Sequence, residues 1–336
     1  MRINAKRIQD QQGLSLIELM IAITLGLFLI GGLIQLFVNS KQSYRVQENL
    51  SRLQENGRFA ISFLVKDIRM ADYWGCLRLP STSNLSNNLN DHATFDDYIS
   101  AVAGENNNTN AGDDVIDGTD TITVKGAFGA GVYIREASLS NAASFKVEDN
   151  SGLRANNIVI VSDCIEGDLF QITNKPSTGG AGFDTVIHDT DAVRSGPGNL
   201  DKHLRKIYGT DAQVFKLNFA TFFIKSNPNE IPSLYKRVNG GTAIELIEGI
   251  ENMQILYGED TDDNNSPNYY VTADKVVEMN DVISIRISLL TRTIENNIAA
   301  TPVPYTIFGV KTTPPAGDLI IRREFTSTVA IRNRLP

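Results

Sequence analysis

The stretch that decides the fold is LSLIELMIAITLGLFLIGGLIQLFV, residues 14–38, an apolar run that directly follows the basic leader MRINAKRIQDQQG. As a helix, these 25 residues are long enough to span a hydrocarbon core about 30 Å thick. Because positive flanks stay in the cytoplasm, Arg2, Lys6 and Arg7 predict that the residues after the run lie across the membrane. The run is too long for a secretory signal and no Ala-x-Ala-like site follows it, so we expect a membrane anchor.

A single carboxylate, Glu18, lies near the start of this run. A charged side chain costs roughly 2.5–3.5 kcal/mol at the centre of a membrane helix and less near the interface. Such residues are usually functional and paired, so we expect Glu18 to have a partner.

The segment GLSLIEL, residues 13–19, resembles the prepilin signature of type IV pilins and of the related type II secretion pseudopilins. In that group a membrane peptidase cuts after the glycine, and the new N-terminal amine is methylated. The resemblance implies cleavage between Gly13 and Leu14 and N-methylation of Leu14, where the group usually has Phe or Met. After cleavage the Glu18 carboxylate can pair with the Leu14 amine of its own or a neighbouring subunit. Pairing offsets much of the cost of burying either charge and would set the register of assembly.

The residues after the apolar run predict that the helix continues. No proline occurs before Pro80, and from Val46 to Ala71 apolar residues recur at helical spacing with charged residues between them. The predicted domains are a leader, the transmembrane and amphipathic halves of one stem helix, and an exported β-rich domain, at residues 1–13, 14–38, 39–75 and 76–336.

The composition changes after Cys76. Polar and glycine-rich segments separate runs of β-forming residues. In the run 282–291, apolar side chains alternate with Ser284, Arg286 and Ser288, which is typical of a half-buried antiparallel strand. The expected fold class is α+β and type IV pilin-like: a long N-terminal helix packed on a large, mainly antiparallel β body.

The chain has two cysteines, Cys76 and Cys164, too few for a disulfide-stapled fold or a structural zinc site. If the body lies outside the cytoplasm, one disulfide between them is expected. Two separate buried thiols are the alternative.

Four segments spread along the chain resemble the PilW family of minor pilins. They are QENGRFA, DYWGC, GIENMQILYG and REFTSTVAIRNR, at residues 54–60, 72–76, 249–258 and 323–334. In this family the positions of Cys76 and Cys164 are expected to pair. The resemblance implies a minor pilin that takes part in type IV pilus assembly, in the complex that starts and caps the fibre, and that supports adhesion and twitching motility.

The same resemblance implies where the protein acts and with what. It would cross the inner membrane once, with a cytoplasmic N-terminus and a periplasmic body, and then reach the pilus at the cell surface. The implied partners are other minor pilins and the major pilin through the stem helix, the prepilin peptidase, the inner-membrane assembly platform and a tip adhesin. A J-type pseudopilin of type II secretion and a membrane-anchored surface binding module are the alternatives.

Neither catalysis nor nucleic-acid binding is predicted. The net charge of −8 and the pI near 5.0 argue against a nucleic-acid partner. The sequence has no hydrolase, metalloprotease or phosphate-loop motif, and His92, His188 and His203 lack metal-ligand spacing. We therefore expect no enzyme and no cofactor.

One loop has a partial metal-site pattern. Asp260, Asp262 and Asn264 alternate oxygen ligands as at the start of a calcium loop. The sixth and twelfth positions are Asn265 and Val271 instead of glycine and glutamate. We expect a polar hairpin tip, with a weak calcium site as the alternative.

Overall fold

The structure is a computed structural model that describes residues 15–77, 84–90, 100–109, 114–127, 129–137, 142–176, 182–190 and 196–335. The cleavage-site residues Gly13 and Leu14 and the histidine His92 lie outside the described residues. The chain divides into two units, residues 1–51 and 52–336, and helix α1 (Leu16–Arg69) has residues in both.

The described part of the first unit is the N-terminal part of α1 with the preceding Ser15. Its large apolar side chains between residues 16 and 38 are exposed. By length and composition, α1 is the one helix among the described residues that could cross a membrane. A helix whose apolar side chains are left exposed by the rest of the described chain is suited to a lipid environment.

Helix α1 ends at Arg69 instead of continuing to residue 75, where the sequence placed the end of the stem. The N–H groups of Met70 and Ala71 bond to carbonyls three residues earlier, and Asp72 then adopts a left-handed φ of 62°. A tightened last turn followed by a left-handed residue terminates a helix. Apolar spacing therefore predicted the helix but not its end.

Three sheets and a small hairpin form the β body. The four-stranded sheet has the order β14-β13-β15-β18, at Tyr269–Val271, Ile250–Glu259, Val282–Arg292 and Arg322–Ala330. The five-stranded sheet has the order β12-β11-β10-β3-β2, at Ile244–Glu248, Pro232–Val238, Asn218–Ser226, Thr121–Gly126 and Val102–Glu105. The seven-stranded sheet has the order β1-β7-β6-β9-β4-β5-β8, at Leu85–Asn87, Gly167–Gln171, Ile158–Ser162, Gln213–Lys216, Val132–Glu136, Ser144–Glu148 and Phe183–Ile187.

Short elements complete the body. The hairpin β16–β17 lies at Tyr305–Ile307 and Val310–Thr312, and 3-10 turns lie at Ala273–Lys275, Met279–Asp281 and Arg332–Arg334. Of the strand pairs within the described ranges, only β1 with β7 is parallel.

Residues 52–69 of α1 pack on the four- and five-stranded sheets, and we call these parts together the stem-bound body. Ala60, Leu64 and Ile68 are fully buried and share one core with side chains of both sheets, such as Phe222 and Ile287. Because these helical residues recur every four positions, one face of the helix lies inside the body. The expected α+β fold is confirmed.

The seven-stranded sheet has cores of its own. One contains Phe145, Phe170 and Val214, and a second contains Trp74 and Leu77 from the segment after the helix. Among the described residues, neither cluster includes a side chain of α1.

Strand β15 differs from the half-buried strand that its alternation predicted. Ser284 and Ser288, on the polar face, are buried as well. The Ser284 hydroxyl lies 2.9 Å from the Tyr270 hydroxyl, and the Ser288 hydroxyl donates to Glu324 at 2.6 Å. Neighbouring strands therefore satisfy these hydroxyls and cover the face that the pattern assigned to solvent.

Candidate functional site

The first described residues hold Glu18 in a capping box. Its carboxylate accepts hydrogen bonds from the backbone N–H of Ser15 at 2.9 Å and from the Ser15 hydroxyl at 3.1 Å. In return, the Glu18 N–H donates to the Ser15 hydroxyl oxygen at 3.2 Å. This reciprocal arrangement satisfies otherwise unpaired N–H groups of the first turn and holds the negative charge at the positive end of the helix. The predicted partner, the Leu14 amine, lies outside the described residues.

Ser15 forms the capping box with Glu18, but it was not predicted from the sequence as a residue of this site. The signal was present, because Ser15 and Glu18 have the Ser-x-x-Glu spacing that marks a helix start before an apolar run. The helix begins at Leu16, directly after this serine.

Cys76 and Cys164 form a disulfide with their Cα atoms 4.8 Å apart, which confirms the predicted bridge. It joins the segment after α1 to the turn between β6 and β7. In that turn Cys164 has a φ of 73°, and Asp163 accepts the N–H groups of Ile165 and Glu166 at 3.1 and 3.0 Å.

The Asp163 carboxylate also binds the Lys206 ammonium. Burial alone would raise the pKa of Asp163, but the hydrogen bonds from Lys206 and from the turn lower it to about 2. The carboxylate therefore stays charged at neutral and mildly acidic pH, where it accepts hydrogen bonds from the turn that carries Cys164.

A second link to the end of α1 comes from the C-terminal segment. The Asp72 carboxylate accepts the Trp74 indole N–H at 2.6 Å and the Arg334 Nε–H at 3.0 Å. Arg334 also donates to the carbonyls of Met279 and Val282, at 2.7 and 2.6 Å. Both charged side chains are more than nine-tenths buried, so the pair is shielded from water. Both carboxylate oxygens and two of the three guanidinium nitrogens are hydrogen-bonded.

Gly57 lies at a close contact between α1 and the four-stranded sheet. A Cβ atom at this position would lie 2.4 Å from the Phe325 ring, so no side chain fits without displacing that ring. The neighbouring Asn56 donates to the Glu248 carbonyl at 3.0 Å. Both residues belong to the QENGRFA segment, whose sequence is therefore adapted to helix–sheet contact.

The Asp260 loop connects β13 and β14 as a polar hairpin tip. The two Asp260 carboxylate oxygens accept N–H groups of Asn264 and Asn265 at 3.1 and 2.7 Å. The Asn264 amide donates to Asp262 at 3.0 Å. These oxygens therefore accept hydrogen bonds from within the turn and stabilise it. Within the described ranges, no group of three or more His, Cys, Asp or Glu is placed to hold a metal ion.

The described histidines and the C-terminal arginine Arg322 have structural surroundings. His203 is exposed and lies 2.7 Å from Asp201, whereas His188 is buried between Phe145 and Phe170. Arg322 pairs with Glu251 and Asp318 at 2.7 and 2.9 Å.

Two protein-family models match the chain. Residues 8–34 match the prokaryotic N-terminal methylation motif, and residues 221–333 match PilW, the type IV pilus-assembly protein W. These two matches support a type IV pilin-like protein of the PilW family. Neither the comparison with curated proteins nor that with solved structures gives a match.

The two matches fall on different parts of this pilin-like protein. The first covers the capping box and the apolar start of α1, which indicates membrane anchoring and pilus association. The second runs from within β10 almost to the end of the chain and so covers most of the sheets that pack on α1. Together they make the protein a type IV pilus-related minor pilin, and its family indicates a structural role. The disulfide and the seven-stranded sheet lie outside both matches.

Proposed function

We propose that this minor pilin acts in the complex that starts and caps a type IV pilus, and through it supports adhesion and twitching motility. The observation that carries the proposal is that the PilW match covers most of the body that packs on residues 52–69 of α1. A helix whose residues 52–69 share a core with a large β body suits a subunit whose stem assembles with other stems and whose body contacts other components. Other minor pilins, the major pilin and a tip adhesin are the partners we propose.

The membrane stage is proposed from the N-terminal segment. Prepilin peptidase cuts between Gly13 and Leu14, the Leu14 amine is methylated, and the chain is held once across the inner membrane with its body on the periplasmic side. The positive leader favours that orientation. The assembly platform then incorporates the processed subunit into the pilus.

In this proposal Glu18 pairs with the Leu14 amine of a neighbouring subunit. The capping box supports it, because it holds the carboxylate at the first turn of the helix, four residues in sequence after the position where processing creates the amine. An unpaired carboxylate and an unpaired amine are each costly in lipid, so docking the two favours assembly in one register.

The test separates the charge of Glu18 from its capping role. Glu18→Gln keeps a side chain that can close the capping box but removes the charge. Ser15→Ala removes the cap and keeps the charge. Expressed in cells that lack the native gene copy, Glu18→Gln should insert and be cut but give few pili and little twitching, and Ser15→Ala should give near-normal pili.

Two further readouts complete this test. Gly13→Ala should leave the chain at its full-length mass, whereas both other variants should show the processed mass. Crosslinks from the β body to co-purified minor pilins should be present in the unaltered chain. Normal piliation with Glu18→Gln would contradict the pairing, and loss of type II secretion without loss of pili would favour the pseudopilin function instead.

A further inference from the structure

The outer face of the five-stranded sheet carries an arginine between two cavities. In β10 and β11, Phe222, Ile224 and Leu234 point into the core of the stem-bound body. Because side chains alternate along a strand, Phe223 and Arg237 lie on the opposite face. Arg237 lines both cavities, one of about 620 Å³ and one of about 300 Å³.

The position of Arg237 is defined by an aromatic pair beneath it. Its guanidinium carbon lies 4.9 Å from the centre of the Phe223 ring, and Phe223 stacks on Tyr235 with ring centres 6.0 Å apart. A guanidinium held over an aromatic face has less freedom to lose when it binds a ligand.

Arg237 has hydrogen-bonding capacity that the described residues do not use. Lys225, in the larger cavity, is paired with Asp114, and elsewhere Arg322 and Arg334 are paired with carboxylates. The Arg237 side chain has no ion pair or hydrogen bond with another described residue. Its forked N–H donors match a carboxylate, which can accept two of them at once.

The walls on either side of Arg237 carry hydroxyl groups. Each cavity also has one carboxylate that already has a partner, Asp114 with Lys225 and Glu105 with the side chain of Asn108. In the smaller cavity, Thr123 and Thr221 lie across neighbouring strands with their hydroxyls 2.8 Å apart. In the larger cavity, Ser226 and Thr242 are exposed. Hydroxyls both donate and accept hydrogen bonds, as do the hydroxyls of a sugar.

These observations favour a sugar acid over a peptide. The cavities lie on the face of the sheet, so a peptide cannot bind there by adding a strand to an edge. Their volumes fall near or within the range of small-ligand sites. We propose that this cleft binds an acidic oligosaccharide, with a uronate carboxylate on Arg237 and neighbouring hydroxyls along the threonine and serine walls. The inference does not depend on the place of the protein in the pilus.

The experiment is a calorimetric titration, in which digalacturonate is added to the full-length protein in lipid nanodiscs and the heat of binding is measured. The matched ligand is the dimethyl ester of the same disaccharide, which keeps every hydroxyl and loses both charges. We expect the acid to bind at least about tenfold more tightly than the ester, since a charge-assisted pair is lost. Equal affinity of the two ligands, or no binding of the acid at millimolar concentration, would overturn the proposal.

Variants locate the site. Arg237→Gln should weaken binding of the acid about tenfold and leave the ester unaffected, and Arg237→Lys should fall between, because it keeps the charge without the fork. Arg135→Gln, which removes an exposed arginine on β4, is the matched control and should bind normally. Unchanged affinity in Arg237→Gln would overturn the assignment to this cleft. A glutamyl dipeptide that binds as tightly as the sugar acid would overturn the carbohydrate class.

Discussion

In the stem-bound body, helical side chains such as Leu64 and Ile68 belong to the same core as the strands, and Gly57 allows close helix–sheet contact. In the seven-stranded sheet the buried clusters contain no described side chain of α1, and the link to the stem is the short segment after the helix with its disulfide. The PilW match lies in the first region, mainly on its strands, and not in the second. The two regions show that one stem can hold a β body in two ways, by shared packing or by a covalent tie.

The largest effect should come from removing the covalent tie. The bridge joins residues 88 apart in sequence. In the chain-entropy model, a loop of that length is worth about 4.5 kcal/mol. The double variant Cys76→Ser/Cys164→Ser should lose roughly that free energy of unfolding, measured by denaturant titration. Hydrogen exchange should rise mainly in β1 and β4–β9, because the stem-bound body keeps its helix packing. Equal increases in hydrogen exchange in the two regions would show that the disulfide stabilises the whole β body.

A smaller loss is expected in the stem-bound body. Arg334→Leu leaves the buried Asp72 carboxylate with only the Trp74 indole as a hydrogen-bond donor from a side chain. Removing one partner of a buried pair costs about 3 kcal/mol, at the lower end of the usual range because one donor remains. Arg332→Leu is the matched control, since Arg332 is exposed and two residues away. Similar unfolding free energies for the two variants would contradict the role of the pair.

The smallest effect is a pH dependence confined to the seven-stranded sheet. His188 lies 5.6 and 5.1 Å from the ring centres of Phe145 and Phe170, and neither imidazole nitrogen has a hydrogen-bond partner among the described residues. Burial lowers the pKa of His188 from 6.5 to about 4. The folded state therefore holds the ring neutral, while the unfolded chain takes up a proton below pH 6.5.

The pKa of His188 is lower in the folded state than in the unfolded state. The stability that depends on the neutral imidazole is therefore present above pH 6.5 and is lost as the pH falls towards 4. Between pH 7 and pH 5 the unaltered protein should lose about 2 kcal/mol more than His188→Phe. His203→Asn, at an exposed histidine, should behave like the unaltered chain. Parallel pH curves for the unaltered protein and His188→Phe would refute the prediction.

The parts of the fold that could be predicted have local or compositional signals. The apolar run and the spacing from Val46 to Ala71 predicted α1, and two cysteines in an exported body predicted one bridge. By contrast, the β-forming run 214–224 contributes to β9 and β10 in different sheets, and the chain crosses between the sheets at Leu217. Nothing in the alternation of that run marks the crossing.

Long-range partners could not be predicted in the same way. Asp72 and Arg334 are 262 residues apart, and nothing in the sequence around either residue identifies the other as its partner. Arg237 has the same difficulty, since its significance comes from the cavities on both sides, which exist only once β2, β3, β10 and β11 have paired. Burial and pairing of this kind depend on tertiary structure alone.

The position of β18 near the end of the sequence has a consequence for biosynthesis. All strands of the seven-stranded sheet, and both cysteines, precede residue 218, whereas the packing around Gly57 and the Asp72 pair needs residues 322–334. Because the ribosome makes the chain from the N-terminus, all strands of the seven-stranded sheet and both cysteines are present before β18 has been made. Residues 52–69 of the stem, although made early, therefore obtain their full packing only at the end of synthesis.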